Sequence, residues 1–362
     1  MLEEKIIFRR ATLASVITST YPMIVVGCYF GITPWNMERL SIDESDLSYA
    51  ILLFGIFFII SNQIAGRILV PKYGTKLVMT LAFPIVTFSA LLTVISSSYF
   101  YFLLTFISGG IGWGASGPIG GIHSQLIERH FKKIITPYYA MGFNLGILLG
   151  GGLAGLIMRN NYEPYISFTI LSFLSILVSS FVYSYGLPRD LDFKGEGEKF
   201  KLPETNVLLF GFLLFFVFGS GGIIMDWSTL WLSKDLNTPL YLASMGLIFF
   251  SIGGIFANLF SNSLINLFTE KVVGCHFVMI GAAIMFLSLL TNNFYIILGV
   301  LCIYGFAIAN LVPIIIRQAV KQSNESIPMT VTNLITIGLS STMILPAGIG
   351  FLAETYLSLI HI

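Results

Sequence analysis

The sequence predicts an all-α membrane protein built from two pseudo-symmetric helix bundles, one with six membrane spans and one with five. Three observations lead to this fold class. The composition is too apolar for a soluble chain, the apolar residues fall into eleven runs of membrane-spanning length, and the second half of the sequence repeats the first at an offset of 195 residues.

Composition gives the broad class. The chain has 362 residues, of which 56% are hydrophobic and 10% are charged, whereas a soluble domain carries about 25% charged residues. A chain of this length cannot bury so much apolar surface in a soluble core, so the surplus must face the lipid bilayer. The net charge of +1 gives no basic footprint for nucleic acid. Three cysteines without metal-ligand spacing predict neither a metal site nor a cofactor.

The spans follow from the length of each apolar run, since a bilayer core needs about 20 apolar residues per helix. The predicted spans are 11–32, 48–70, 77–97, 99–126, 137–158, 164–187, 205–226, 241–266, 271–291, 294–316 and 328–350. The longest polar stretch divides them into a bundle over 1–187, a loop over 188–204 and a bundle over 205–356.

The charged residues orient the spans. With the N-terminus in the cytoplasm, sixteen of the nineteen lysines and arginines fall on the cytoplasmic side, and only Arg39, Arg159 and Lys234 fall outside. This is a strong positive-inside bias. The sequence therefore predicts an integral protein of a prokaryotic inner membrane, with its N-terminus cytoplasmic.

The internal repeat needs no gaps over a long stretch. Residues 69–76 align with 264–271, residues 96–103 align with 291–298, and the intramembrane Pro118 aligns with Pro313. Each match is weak alone, but all share one offset and the same order of spans. Repeated halves are typical of secondary transporters.

The loop after the second predicted span carries a motif. Leu69, Lys72, Gly74 and Lys76 fit the loop G-x-L-a-D-r-x-G-r-k, and the segment resembles the motif of the major facilitator superfamily. In that superfamily the acidic residue helps to latch the two halves on the cytoplasmic side. Here Pro71 holds that position, so the resemblance does not supply the acidic latch. The turn from Leu69 to Lys76 is nevertheless the predicted inner gate.

A second motif opens the second half. Residues 221–232, GGIIMDWSTLWL, resemble a segment of the MosC-like branch of this superfamily, as do residues 346–354 at the end of the last predicted span. The resemblance implies six spans in each half, so a twelfth span is expected. It also implies transport of a small solute by alternating access, with a sugar, polyol or inositol-like compound as the leading substrate. The runner-up is efflux of amphipathic compounds by a mechanism like that of drug/proton antiporters.

Uncharged polar and aromatic residues near mid-span are the candidates for a solute cavity, because amides and aromatic faces suit a polar solute. Each could equally bond to a neighbouring helix. The predicted cavity residues are Tyr21, Trp113, Asn144, Asn310 and Asn333, with Ser116, Ser220, Tyr304 and Thr336 as further polar positions.

Charged residues within spans are few. Asp226 and Trp227 are the predicted outer vestibule, where Asp226 could bind a cation or a solute hydroxyl, relay a coupling proton, or cap the loop in water. Arg67 is predicted to reach the headgroups with its long side chain. His123 is either a titrating group or a satisfied packing residue.

Two glycine patterns invite other interpretations. Gly142, Gly146 and Gly150 allow close helix packing, and they also resemble an antiporter motif, in which Ile147 replaces the proline. The segment from Gly114 to Gly117 matches the G-x-S-G of an intramembrane serine hydrolase, with Ser116 as nucleophile and His276 as base. Eleven spans in two repeats disfavour that enzyme, so the chain is not expected to be one.

The end of the chain is expected to be artificial. Residues 357–362, LSLIHI, are what a transposase mosaic end encodes, and such scars are excluded from fold reasoning. The remaining partners expected are a solute and the lipid bilayer, and the protein is expected to be a monomer.

Overall fold

The computed structural model describes residues 2–193, 202–288 and 290–360, and most of these residues are helical. The first half contains α1 (Leu2–Gly31), α2 (Thr33–Leu40), α3 (Glu44–Ile64), a π-helical turn (Ala65–Leu69), α4 (Val70–Tyr73), α5 (Thr75–Ile95), α6 (Tyr99–Phe131), α7 (Thr136–Arg159) and α8 (Pro164–Tyr185). The second half contains α9 (Thr205–Lys234), α10 (Leu240–Ala243), α11 (Met245–Leu259), α12 (Ser261–Lys271), a π-helical turn (Val272–His276), α13 (Phe277–Ser288), α14 (Phe294–Ala309), α15 (Leu311–Gln322) and α16 (Ile327–Ile360).

Ten helical segments of the described chain are long and apolar enough to cross a membrane, and α16 is an eleventh long helix. The helices extend beyond several predicted spans because hydropathy marks only their apolar middle. For example, α9 continues to Lys234, eight residues past its predicted end. Residues 361 and 362, in the segment expected to be artificial, lie outside the described residues.

Local signals fix the helix ends. The side chain of Asp43 accepts the amide of Asp46 at 2.8 Å and Asp46 returns the bond, which forms a capping box at the start of α3. At the start of α14 the side-chain oxygen of Asn293 accepts the amides of Tyr295 and Ile296, which is a simple N-cap. Gly74 has φ +85°, which ends α4 and turns the chain into α5, and only glycine adopts this conformation at little cost.

The two halves repeat one arrangement. α6 begins at Tyr99 and α14 begins 195 residues later at Phe294. Helix α1 packs on α7 as α9 packs on α16, and the contacts of α3 and α5 with α6 match those of α11 and α13 with α14. The repeat differs in detail at its prolines. Pro118 lies within the continuous α6, whereas Pro313 follows the break at Asn310 between α14 and α15.

The halves meet along two interfaces, between α3 and α16 and between α7 and α11. The basic end of the molecule carries most of the positive charge. It is defined by the start of α1, the turn at Gly74 and the start of α16. The acidic end is defined by α2 and residues 38–46, which include Glu38, Asp43, Glu44 and Asp46.

One helix contact of the first half has no counterpart among the described residues of the second half. Helix α8 covers α5, and its Ser172 and Ser179 donate hydrogen bonds to carbonyl oxygens of Thr87 and Thr80. No described helix covers α13 in the corresponding manner. Accordingly 56% of the α5 span is buried, against 22% of the span that contains α13. An apolar face of the second half is therefore not covered by another described helix.

The glycine spacing in α7 serves helix packing. A side chain at Gly142, Gly146 or Gly150 would collide with α1, and at each position the atoms that it meets include α1 backbone. Close approach of two helices at small residues is the usual use of this spacing in membranes.

We expect Gly146→Ala to lower the thermal unfolding midpoint of the purified protein, because a methyl group there must push α1 away, at a cost of roughly 1–3 kcal/mol. The matched control is Gly152→Ala on the same helix, where a methyl group meets no atom within 4 Å. Equal midpoints for the two variants would contradict this packing.

Candidate functional site

The middle of the molecule, between the halves, is an apolar cluster. Its buried members are Met23, Ile147 and Leu247, from α1, α7 and α11. Partly buried side chains complete this central cluster, namely Val26, Phe30, Trp113, Phe143 and Met225. Five helices from both halves therefore converge on one apolar surface.

The structure brings only part of the predicted cavity set to this centre. Trp113 belongs to the central cluster, with its ring 6.3 Å from that of Phe143. Asn144 lies at the α7–α11 interface, where it faces Gly254, and its amide donates to the Ala140 carbonyl at 3.1 Å.

The other three predicted cavity residues lie outside the central cluster. Tyr21 is inside the first half, where its hydroxyl donates to the carbonyl of Leu171 at 2.6 Å and its ring stacks on Phe83. Asn310 is buried at the break between α14 and α15, and its Oδ1 has no hydrogen-bond donor among the described residues. Asn333 lies near the basic end.

A polar network, here called the basic-end latch, joins the halves between α3 and α16. Arg67 Nη2 donates to Asn333 Oδ1 at 2.8 Å, and Asn333 Nδ2 donates to Glu325 at 3.0 Å. Arg67 Nε also donates to Gln63 on its own helix at 2.5 Å. The Asn333 amide thus bridges a cation of the first half and a carboxylate of the second.

The prediction that Arg67 reaches the headgroups is wrong. Its side chain is 6% exposed, because the π-helical turn that contains it packs against α16. Gly66 sets the distance, since any side chain there would collide with Thr332 of α16.

Two further polar residues of α3 extend the latch toward the centre. The amides of Asn62 and Gln63 both donate to the hydroxyl of Thr336, at 2.8 Å and 2.7 Å. Sequence reasoning missed both. The available signal was two adjacent amides in an apolar span, which must be hydrogen-bonded when they are buried.

The acidic end is closed by Trp227. Its indole is 8% exposed and packs in a cluster with Met37, Leu47, Ile51 and Phe102 of the first half. At the same end, an exposed ion pair between Lys234 and Glu44, 2.5 Å long, also joins the two halves. Closure at this end is therefore mainly apolar.

Asp226 precedes this tryptophan on α9 and is partly buried. Its carboxylate accepts no hydrogen bond from a described residue, and it lies near enough to Tyr29 of α1 to act on that hydroxyl electrostatically. The structure thus places Asp226 and Trp227 together at the acidic end, on neighbouring faces of α9.

Similarity to known proteins agrees with this geometry. The sequence model described as Major Facilitator Superfamily matches residues 13–353. The chain belongs to the major facilitator superfamily. Its relatives include an uncharacterized MFS-type transporter of Yersinia pestis, 22% identical over 89% of this chain and 84% of that one. Membrane protein MosC of Rhizobium meliloti is 23% identical over 91% of this chain and 81% of that one.

The crystal structure of a D-xylose–proton symporter has the same fold as this facilitator. Its TM-score is 0.71 at 14% identity, with 95% of this chain and 89% of the symporter covered. The resemblance to the superfamily and to MosC that the motifs indicated is confirmed. Members of the superfamily are transporters rather than enzymes.

The predicted gate turn of this facilitator contacts mainly the first half. Lys72 is exposed and lies over the Tyr73 ring, and Lys76 lies over the ring of Tyr183. Leu69 differs, because it packs on a core cluster that both halves share. Its role as a gate stays a prediction.

A carboxylate does reach this turn, although Pro71 replaces the acid of the superfamily motif. Asp192 comes from the segment after α8, accepts the Thr75 hydroxyl at 2.9 Å and the Lys76 amide at 3.3 Å, and so caps α5. The segment is also held by His123, whose Nε2 accepts the amide of Leu187 at 3.0 Å. The predicted loop over 188–204 is therefore fixed to the first half as far as Phe193.

Ser116 is fully buried in α6, and its hydroxyl bonds to no described residue. His276, the predicted base of the serine-hydrolase alternative, is exposed on the second π-helical turn.

Proposed function

We propose that this chain carries a small solute across the membrane by alternating access, with the first half (1–187) and the second half (205–356) moving as bundles around the central cluster. One observation carries the proposal. The halves are held together at the two ends by separate sets of contacts, Arg67–Asn333 at the basic end and the Trp227 cluster at the acidic end. Either set can break while the other holds, which is what alternating access requires.

The orientation follows from charge. Positive residues favour the cytoplasmic side, so the basic end faces the cytoplasm of a prokaryotic cell and the N-terminus lies there. The protein acts in the inner membrane as a monomer, because both interfaces that the solute path needs are formed within one chain.

The leading substrate is a sugar, polyol or inositol-like solute. The fold shared with a D-xylose–proton symporter is compatible with this class, and the similarity to MosC extends along most of the chain. Trp113 and Phe143 offer aromatic faces for the C–H side of a sugar ring. Asp226 is the carboxylate available to a coupling proton.

A second candidate is efflux of amphipathic compounds. The observation that favours it is the central cluster, whose methionine, aromatic and branched side chains suit an apolar ligand body. A lipophilic substrate would bind there by burial rather than by hydrogen bonds.

Cysteine labelling tests alternating access without knowledge of the substrate. In a background in which Cys28, Cys275 and Cys302 are replaced, Thr332→Cys reports on the basic end and Leu47→Cys on the acidic end. Both native side chains are buried between helices. We expect a solute, or a variant that opens one end, to raise the labelling rate at that end and to lower it at the other.

The control is Ser97→Cys, which is exposed and should label at a constant rate. Labelling that rises or falls at both ends together would refute alternating access. Proteoliposome uptake of a polyol against efflux of a lipophilic dye then separates the two candidate functions.

A further inference from the structure

The segment after α8 packs along the basic end of the first half and ends where the two halves meet. Leu187 is fully buried and Asp192 is 7% exposed. Phe193 is partly buried against the core cluster that both halves share. Residues 187–193, here called the strap, therefore form a packed element of the structure and not a free loop.

Arg189 fastens the end of the strap to the turn between α4 and α5. Its Nη2 donates to the carbonyl oxygens of Pro71 at 3.1 Å and Lys72 at 3.3 Å. Its Nη1 donates to the carbonyl oxygen of Phe193 at 2.6 Å. One guanidinium thus joins the backbone of the turn to the backbone of Phe193. Hydrogen bonds from a charged donor are stronger than those between neutral groups, so this contact fixes the position of Phe193.

Asp192 holds the same end by a second set of hydrogen bonds. Besides its two bonds to the start of α5, its Oδ1 accepts the amide of Phe193 at 2.7 Å. Gly74 makes room for both charged side chains, because a Cβ there would lie 2.6 Å from Asp192 Oδ2 and 2.8 Å from Arg189 Nη1. The glycine of the turn therefore serves the strap as well as the positive φ of the turn.

The side chain of Phe193 reaches the second half. It lines a narrow crevice with Pro328 and Met329, which lie in the first turn of α16. Arg67 and Pro71 of the first half line the same crevice. The crevice has no room for a water molecule, so water does not separate these side chains. The phenyl ring thus lies between the turn of one half and the start of α16 in the other.

The crevice adjoins the basic-end latch, because Arg67 belongs to both. Arg67 is 6% exposed, and it donates to Asn333 across the halves. A hydrogen bond of a charged group is stronger where water is excluded, because the local dielectric constant is lower. An apolar ring that keeps water from Arg67 therefore strengthens the latch.

We propose that the strap is part of the gate at the basic end and that Phe193 seals the latch against water. The bonds of Arg189 and Asp192 described above go to the first half and to the strap itself, so the strap stays on the first half when α16 moves away. Phe193 then loses its contacts with α16, and water reaches Arg67. The inference rests on the alternating access proposed above and adds a gating residue to it.

Labelling of Thr332→Cys in lipid nanodiscs tests the proposal, in the background in which the three native cysteines are replaced. Phe193→Ala should raise the labelling rate about tenfold, because a partly buried aromatic side chain loses its contacts with α16. Phe193→Leu keeps an apolar cover and should stay within about twofold of the parent protein. The matched control is Leu202→Ala, which changes an apolar side chain of the same loop that is 83% exposed, and it should leave the rate unchanged.

Two double variants separate sealing from simple packing. Arg189→Gln with Asp192→Asn leaves the net charge unchanged and should raise the rate as Phe193→Ala does, because the ring is no longer held. Arg67→Leu with Phe193→Ala should label at the rate of Arg67→Leu alone, because no charged hydrogen bond remains to be sealed. Residues that act through one interaction give such non-additive effects, whereas independent residues give effects that multiply in the rate.

Three results would each overturn the proposal. They are equal rates for Phe193→Ala and Leu202→Ala, an unchanged rate in the variant that lacks both Arg189 and Asp192, and multiplying effects of Arg67→Leu and Phe193→Ala. Labelling of Leu47→Cys distinguishes such a failure from a failure of alternating access. If Arg67→Leu still raises the rate at the basic end and lowers it at the acidic end, the halves alternate and only the role of the strap is wrong.

Discussion

Arg67→Leu should open the basic end. The substitution removes the cationic hydrogen bond to Asn333 and leaves the amide without its cross-half donor. A hydrogen bond to a charged group contributes about 1.5–3 kcal/mol, so the population open at this end should rise about 10- to 100-fold. The readout is the labelling rate of Thr332→Cys, which lies against Gly66 directly beside the latch.

Lys72→Ala is the control for this change, because Lys72 is an exposed cation at the same end and makes no part of the latch. Arg67→Lys should restore part of the closure, since an ammonium keeps the charge but loses the planar set of donors. If Arg67→Leu and Lys72→Ala label at equal rates, the latch does not control this end.

Trp227→Ala should open the acidic end. The indole fills a cluster of the first half, and truncation of a buried tryptophan costs roughly 3–5 kcal/mol. The indole is buried in this cluster only when the halves are closed at the acidic end, so the truncation destabilises that closed form alone. We therefore expect faster labelling of Leu47→Cys and slower labelling of Thr332→Cys.

Trp231→Ala distinguishes a loss of closure at the acidic end from a general loss of protein stability. Trp231 lies one turn further along α9 but packs within the second half. Its truncation should lower the thermal unfolding midpoint without changing the ratio of labelling at the two ends. A change in that ratio as large as for Trp227→Ala would contradict a specific role for Trp227.

The spans and the repeat could be predicted because both are carried by local apolar runs and by one fixed offset. The glycine spacing of α7 also pointed to packing without any knowledge of α1. Such signals depend on neighbours along one helix, and those neighbours are visible in the sequence.

The latch could not be predicted, because Arg67 and Asn333 are 266 residues apart and only the fold of both halves brings them together. Each alone has an ordinary alternative, a headgroup contact for the arginine and a cavity position for the amide.

The unlike chemistry of the two closures has a thermal consequence. Charged and neutral hydrogen bonds add to apolar packing at the basic end, whereas an apolar cluster forms most of the closure at the acidic end. Hydrophobic burial near room temperature is entropic and carries a large heat-capacity change, so it weakens on cooling, whereas hydrogen bonds are mainly enthalpic. If the halves alternate as proposed, we expect warming of a membrane that contains this protein to shift its resting population toward the form closed at the acidic end, and cooling to shift it back.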